Sequence, residues 1–180
     1  MYRSHIVWLT ALSVLLVSDG SPGARASRDA RAGFAADRLS EAQVSDYLRR
    51  LNPELSPGQN ERISTAIVKY SGKYALDTSL VLAVIHQESG GRPWVRSEKG
   101  AVGLMQVMPH MLGSLDLAGN LASIETNVEA GCIILADNIR RLGEERGILA
   151  YFWGNRIRGL SYLQEVQAAQ AEIRRHVAAS

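Results

Sequence analysis

Cysteine occurs once, at Cys132, which excludes any disulfide within the chain. Excess charge of either sign is also missing, since 20 Lys and Arg stand against 18 Asp and Glu. The basic pairs Arg49-Arg50 and Arg140-Arg141 lie on helical stretches beside acids and read as solvated faces. No nucleic-acid motif accompanies them, so no nucleic-acid partner is expected. Metal chemistry lacks its spacing. There is no H-E-x-x-H, His86 stands two residues before Glu88 and so on a different helix face, and His5, His110 and His176 have no partner in spacing. Neither a metal nor a cofactor is expected. A long apolar run is absent too: the stretch from Ile6 to Val17 is too short to cross about 30 Å of hydrocarbon, which takes roughly 20 helical residues. No internal repeat, low-complexity tract or strand-rich region is found.

What the N-terminal stretch does have is the order of a secretory signal peptide. Arg3 supplies a positive start, Ile6 to Val17 an apolar segment, and Ala24-Arg25-Ala26 an A-x-A cleavage site. Residues 1–26 are therefore expected to be removed, with no stable membrane anchor afterwards and a periplasmic or secreted location. Two positive charges and one negative would leave with them, so the formal net charge falls from +2 to +1. No cysteine follows the apolar segment, so a lipid-modified cysteine is not available at the new N-terminus. Residues 27–39 mix alanine, arginine and aspartate without period and read as a flexible leader. Residues 40–180 carry the periodicity of one mainly α domain.

Helix signals recur along that domain. A first helix is expected from Ser40 to Leu51, stopped by Asn52-Pro53, and a second after Ser56-Pro57, with Ile63, Ile67 and Tyr70 on one face. A third begins near Asp77 or Thr78 and ends at Gly90-Gly91; it is apolar nearly all round and so central. Closely spaced glycines and prolines from Gly90 to Leu115 predict loop, a short hairpin and one or two helical turns. Thr126-Asn127-Val128-Glu129 reads as a capping box opening a fourth helix, striped by Val128, Cys132, Leu135, Ile139 and Leu142 and closed by Gly143. Helices follow at about 145–153 and at 161–178, the last opening with Ser161-x-x-Gln164. Cys132, flanked by its apolar stripe, reads as a buried inert thiol.

The feature that asks for explanation is Glu88. Helical neighbours stand three and four residues apart, so this acid shares a face with Val81, Val84 and Ile85. A carboxylate against apolar side chains loses water without gaining a partner, which disfavours its charge and raises its pKa. Still protonated near neutral pH, it can give a proton to a leaving glycosidic oxygen. Gly90 and Gly91 would turn the backbone away and leave the acid uncovered. A surface glutamate at a helix end is the alternative on this helix alone.

Downstream, the chain resembles the lytic transglycosylases with the soluble-type transglycosylase domain, relatives of lysozyme in fold. The matching residues are Glu88-Ser89-Gly90, then Ser97-x-x-Gly100-Ala101-x-Gly103-Leu104-Met105-Gln106-x-Met108-Pro109, then Asn127-Val128-x-x-Gly131, Ala150-Tyr151 and Tyr162-x-x-x-Val166. They run in order from about 60 to 170. The resemblance implies a lysozyme-like single domain with a small loop or hairpin region beside the catalytic helix. It implies Glu88 as catalytic acid and base, Gln106 and Met108 lining a glycan groove, Ser97 beside the scissile sugar, and Tyr151 reaching Glu88 from the far wall. Met105 fits either groove contact or core packing, and Trp153 either a sugar stack or the core. Asn127 fits either a groove residue or a cap neighbour, and the capping box favours the cap. Where the family continues Ala-Tyr with Asn-x-Gly, this chain has Phe152-Trp153-Gly154, which changes the wall of the groove.

The implied substrate is peptidoglycan and the implied reaction a cleavage between N-acetylmuramic acid and N-acetylglucosamine. Glu88 would protonate the glycosidic oxygen, then take the proton of the muramic C6 hydroxyl as it closes into an anhydro sugar. No water is consumed, so the second carboxylate of ordinary glycosidases is not required. Glu98 and Asp116 are nearby acids without a place in the pattern. A lysozyme-like hydrolase and a non-catalytic peptidoglycan-binding protein stay open as alternatives. So does the setting, either general wall turnover or local clearing for a secretion or conjugation apparatus.

Overall fold

A computed structural model of the chain describes residues 38–180. The expected signal peptide at 1–26 and residues 27–37 of the expected leader lie outside the described residues. Leu39, the last leader residue, is buried against the core. Seven helices make up the described part: α1 Glu41–Leu51, α2 Pro57–Lys73, α3 Thr78–Ser89, α4 Pro109–Leu112, α5 Ile124–Leu142, α6 Glu144–Trp153 and α7 Ser161–Ala178. None of them is long and apolar enough to cross a membrane.

Local chemistry sets most of these boundaries. Ser40 and Ser56 each close a full capping box, with Gln43 and Gln59 reaching back to the cap N–H, and Pro57 starts α2 where its missing N–H costs nothing. Asp77 caps α3 by accepting from Ser79 N at 2.7 Å. Gly90 ends it in the left-handed region, φ +60°, which a glycine enters without penalty.

Every residue from Thr78 to Ile85 is buried, so α3 is the central helix that its composition predicts. α2 and α7 pack against it, and α5 packs on α2 and α6. Two polar clasps show that α3 and α7 run antiparallel. At one end Arg174 pairs with Asp77 while Gln170 donates to Asp77 and Ser79; at the other, Tyr162 meets Glu88.

Two helix starts depart from expectation. α5 begins a full turn before the predicted capping box: Ser123 is its cap, accepting from Thr126 N, and Thr126 is an interior residue. The earlier start buries Ile124 in the core, which a cap at Thr126 would forgo. α7 begins without a side-chain cap, at Leu160 rather than through a Ser161 box.

Candidate active site

The stretch from Val95 to Val107 folds into a tight loop pinned by two isolated antiparallel bridges, Arg96 with Val102 and Val102 with Val107. Val102 and Val107 exchange both backbone bonds, at 3.0 and 3.1 Å. Gln106 N donates to Gly103 O across a turn whose two central side chains, Leu104 and Met105, are both fully buried. Those two apolar side chains anchor the turn from beneath.

Of its two expected placements, groove contact and core, Met105 takes the core and does not line the cleft. Gly131 on α5 makes the room, because a Cβ there would run into the Met105 side chain. The backbone of Met105 is held on both sides: its N–H donates to Asn127 Oδ1 at 2.9 Å, and its carbonyl accepts from the Tyr151 hydroxyl at 2.7 Å. Asn127 also donates through Nδ2 to Val102 O and Leu121 O. It is no cap residue but a buried strut that bonds three backbone groups at once, two in the Val95–Val107 loop and Leu121 O in the segment before α5.

Fixed in this way, the turn presents Gln106 with φ +48°, a left-handed conformation that is uncommon for a residue with a Cβ. Its Nε2 donates to Val95 O and Gly103 O, at 3.1 and 3.0 Å. Both N–H bonds are therefore committed to carbonyls, which leaves the amide oxygen as the group available to a ligand. Ser97 accepts at Oγ from Ala101 N, 3.0 Å away, and keeps its own proton to give.

Glu88, Ser97, Gln106, Met108, Tyr151 and Trp153 line one cleft of about 520 Å³, together with Glu98, Lys99, Ala101 and Phe152. Six of the seven residues singled out from sequence meet there, and Met105 supports the floor from below. The size is within the range of small-molecule binding clefts. Trp153 is partly buried, edge-on to Phe152 at 5.0 Å, and its indole nitrogen has no hydrogen-bond partner among the described residues.

The carboxyl of Glu88 sits at the last turn of α3, where loss of water pushes its pKa above the ordinary carboxyl value. A hydrogen bond partly opposes that rise: the hydroxyl of Tyr162 donates to Oε1 at 2.6 Å, which favours the charged form. Burial and the facing carboxylate in turn hold the Tyr162 phenol far above its usual range, so it stays a donor. The expected partner from the far wall, Tyr151, is thus corrected: its hydroxyl is spent on Met105 O, and Tyr162 takes the place by the acid. Tyr162 stood in the sequence pattern, but its reach to Glu88 comes only from the antiparallel pairing of α3 and α7.

The acids and histidines left over divide cleanly. Glu98 lines the cleft and Asp116 does not. His176 Nε2 lies 2.7 Å from Asp46 Oδ2, and His86 Nδ1 lies 2.9 Å from the Tyr47 hydroxyl. Cys132 is fully buried, and burial pushes its thiol pKa well up, so it is no nucleophile.

Comparison with known proteins gives this cleft a context. A transglycosylase of Enterobacteria phage PRD1 is 39% identical over 85 residues, 47% of this chain and 32% of that protein. Membrane-bound lytic murein transglycosylase C of Histophilus somni (strain 2336) is 42% identical over 53 residues, 29% of this chain and 15% of that protein. The chain thus spans about a third or less of the length of these relatives. Among solved structures, the 70-kDa soluble lytic transglycosylase of Escherichia coli aligns with 84% of this chain and 31% of its own, at 22% identity and a TM-score of 0.49. An inactive mutant of the lytic transglycosylase Slt from Pseudomonas aeruginosa aligns with 63% of this chain and 22% of its own, at 23% identity and a TM-score of 0.45. The assignment rests on sequence: the transglycosylase SLT domain model matches residues 65–172, more than half of the chain, and the chain belongs to that family.

Proposed function

We propose that the chain is a lytic transglycosylase that cleaves peptidoglycan between N-acetylmuramic acid and N-acetylglucosamine, using Glu88 first as acid and then as base. The observation that carries this reading is the Glu88 carboxyl, desolvated at the floor of the cleft and held by Tyr162. Raised in pKa, it is protonated to higher pH than a free glutamate and gives its proton to the glycosidic oxygen. As the bond breaks, positive charge grows at the anomeric carbon of the muramic acid. The C6 hydroxyl of the same sugar attacks that carbon, and Glu88, now a carboxylate, accepts the hydroxyl proton. One glycosidic C–O bond is broken and one C–O bond formed within the sugar, with no water taken up. The tethered hydroxyl needs no encounter, which gives it a high effective concentration.

The other lining groups act by position. Gln106 offers its amide oxygen to a hydroxyl or acetamido N–H of the glycan, Ser97 offers its hydroxyl proton beside the reacting sugar, and Met108 and Trp153 give apolar contact. The reading includes export of the chain and action on wall glycan in the periplasm or outside the cell.

Glu98 favours one second reading, because it brings another carboxylate to the same cleft. A hydrolase could use it to activate water. Mass spectrometry of peptidoglycan digests separates the two, since anhydro ends are lighter than reducing ends by one water. Anhydro-muropeptides support the lytic reading, and reducing ends support hydrolysis.

A further inference from the structure

We propose that Phe152 is a saccharide-stacking platform on the wall of the cleft, a specificity-determining contact that this chain has where the related pattern carries asparagine. The proposal rests on the glycan-cleaving reading above. Among the described residues, four large apolar side chains are exposed: Trp94, Phe152, Ile157 and Leu160. Of these, Phe152 lines the cleft that holds Glu88.

Phe152 is 52% exposed, yet its ring is not loose. It stacks on Tyr162 with centroids 4.6 Å apart and planes 15° from parallel, and the Trp153 ring stands edge-on to it at 87°. Tyr162 is itself buried, so the stacked face of Phe152 is its inner face and the solvent-facing side is the opposite one. The same Tyr162 donates to Glu88, which ties the ring to the reacting centre through one side chain. A flat apolar surface is thus fixed next to the acid before any ligand arrives, and little rotamer freedom is left to lose on binding.

An aromatic face carries negative charge density, and the C–H bonds on the less polar face of a pyranose present the complementary positive edge. A phenyl ring has no hydroxyl or amide, so it discriminates by ring face and fit. Asparagine at this position would offer hydrogen bonds instead, and no stacking surface. The ligand class is therefore a pyranose of the glycan strand, seated with its C–H face on Phe152.

The test uses the full chain carrying Glu88→Gln, so that a tetrasaccharide of alternating N-acetylglucosamine and N-acetylmuramic acid stays intact while calorimetry reads its binding. Phe152→Leu keeps apolar bulk without the flat ring, Phe152→Asn installs the residue of the related pattern, and Phe152→Tyr rebuilds the ring. Leucine and asparagine are expected to weaken binding about tenfold, equivalent to about 1.4 kcal/mol, and tyrosine to restore it to within about threefold. Near-UV circular dichroism of each variant establishes that the fold is kept. Leucine binding as tightly as phenylalanine, or tyrosine binding as weakly as leucine, overturns the platform alone. A Glu88→Gln parent that does not bind, with an unsubstituted chain that leaves peptidoglycan intact, overturns the functional reading and the platform with it.

Discussion

The hydroxyl of Tyr162 donates to Glu88 Oε1 at 2.6 Å, joining the first turn of α7 to the last turn of α3 across 74 positions of sequence. Desolvation raises the pKa of Glu88 and this bond lowers it, with desolvation the larger effect. The acid is therefore set by two opposed influences, and removing one of them has a defined sign.

Tyr162→Phe keeps the ring on Phe152 and deletes the donor. The charged carboxylate loses its hydrogen bond, so the pKa of Glu88 rises further. The acid form then survives to higher pH, and the falling limb of the kcat/KM profile is expected to move upward. A limb that stays in place or moves downward would show that Tyr162 does not tune the acid.

Glu88→Gln has an expected effect on stability as well as on activity. A carboxyl whose folded pKa is raised binds its proton more tightly in the folded state. Its contribution is complete below the unfolded value of about 4.3 and is lost as pH rises through the raised folded value. Glutamine keeps an acceptor for Tyr162 without that loss. The variant should therefore melt higher than wild type near neutral pH, and the advantage should shrink as pH falls through the raised folded value toward the ordinary carboxyl value, below which it is gone. Thermal melts across that interval test it; an advantage independent of pH would contradict it.

Asn127 makes the loop below the cleft sensitive to one side chain. Asn127→Ala leaves the buried Met105 N–H and the Leu121 carbonyl without partners, at about 1–3 kcal/mol for each unsatisfied group, while Val102 O keeps its bond from Val107 N. A loss of roughly 2 kcal/mol or more is expected in urea unfolding. Asn127→Asp should be no better than alanine, because a carboxylate would face Val102 O and Leu121 O where the amide donated. Aspartate as stable as wild type would contradict the strut role.

Glu98→Gln separates one acid from two. With a tethered C6 hydroxyl as nucleophile, loss of Glu98 should leave kcat within about tenfold of wild type. General acid–base roles, by contrast, are worth about 10²–10⁴. A loss in that larger range, together with reducing-end products, would assign Glu98 the activation of water.

Much of this was legible in the chain itself, and the exceptions have physical causes. Ser40, Ser56 and Asp77 announce helix starts because capping is a contact within three residues, and Gly90 announces an end because its φ of +60° favours glycine. Glu88 is legible because its apolar neighbours sit on the same helix. Ser123 and Thr126 are equally good caps locally, and burial of Ile124 decides between them, which is a tertiary effect. Tyr151 and Tyr162 are likewise equivalent as phenols. Which one reaches Glu88 depends on how α6 and α7 pack, and no spacing within either helix encodes that. Met105 lies beside Gln106 in a pattern related to glycan contact, yet the turn sends one inward and leaves the other at the cleft.

The central claim is that Glu88 alone moves the protons of an intramolecular glycan cleavage. Its most direct test is mass spectrometry of peptidoglycan digested by the purified chain, with Glu88→Gln in parallel. Anhydro-muropeptides from wild type, with turnover down at least about 100-fold in the variant, are the predicted result. Anhydro products formed equally by Glu88→Gln, or reducing ends from wild type, would contradict it.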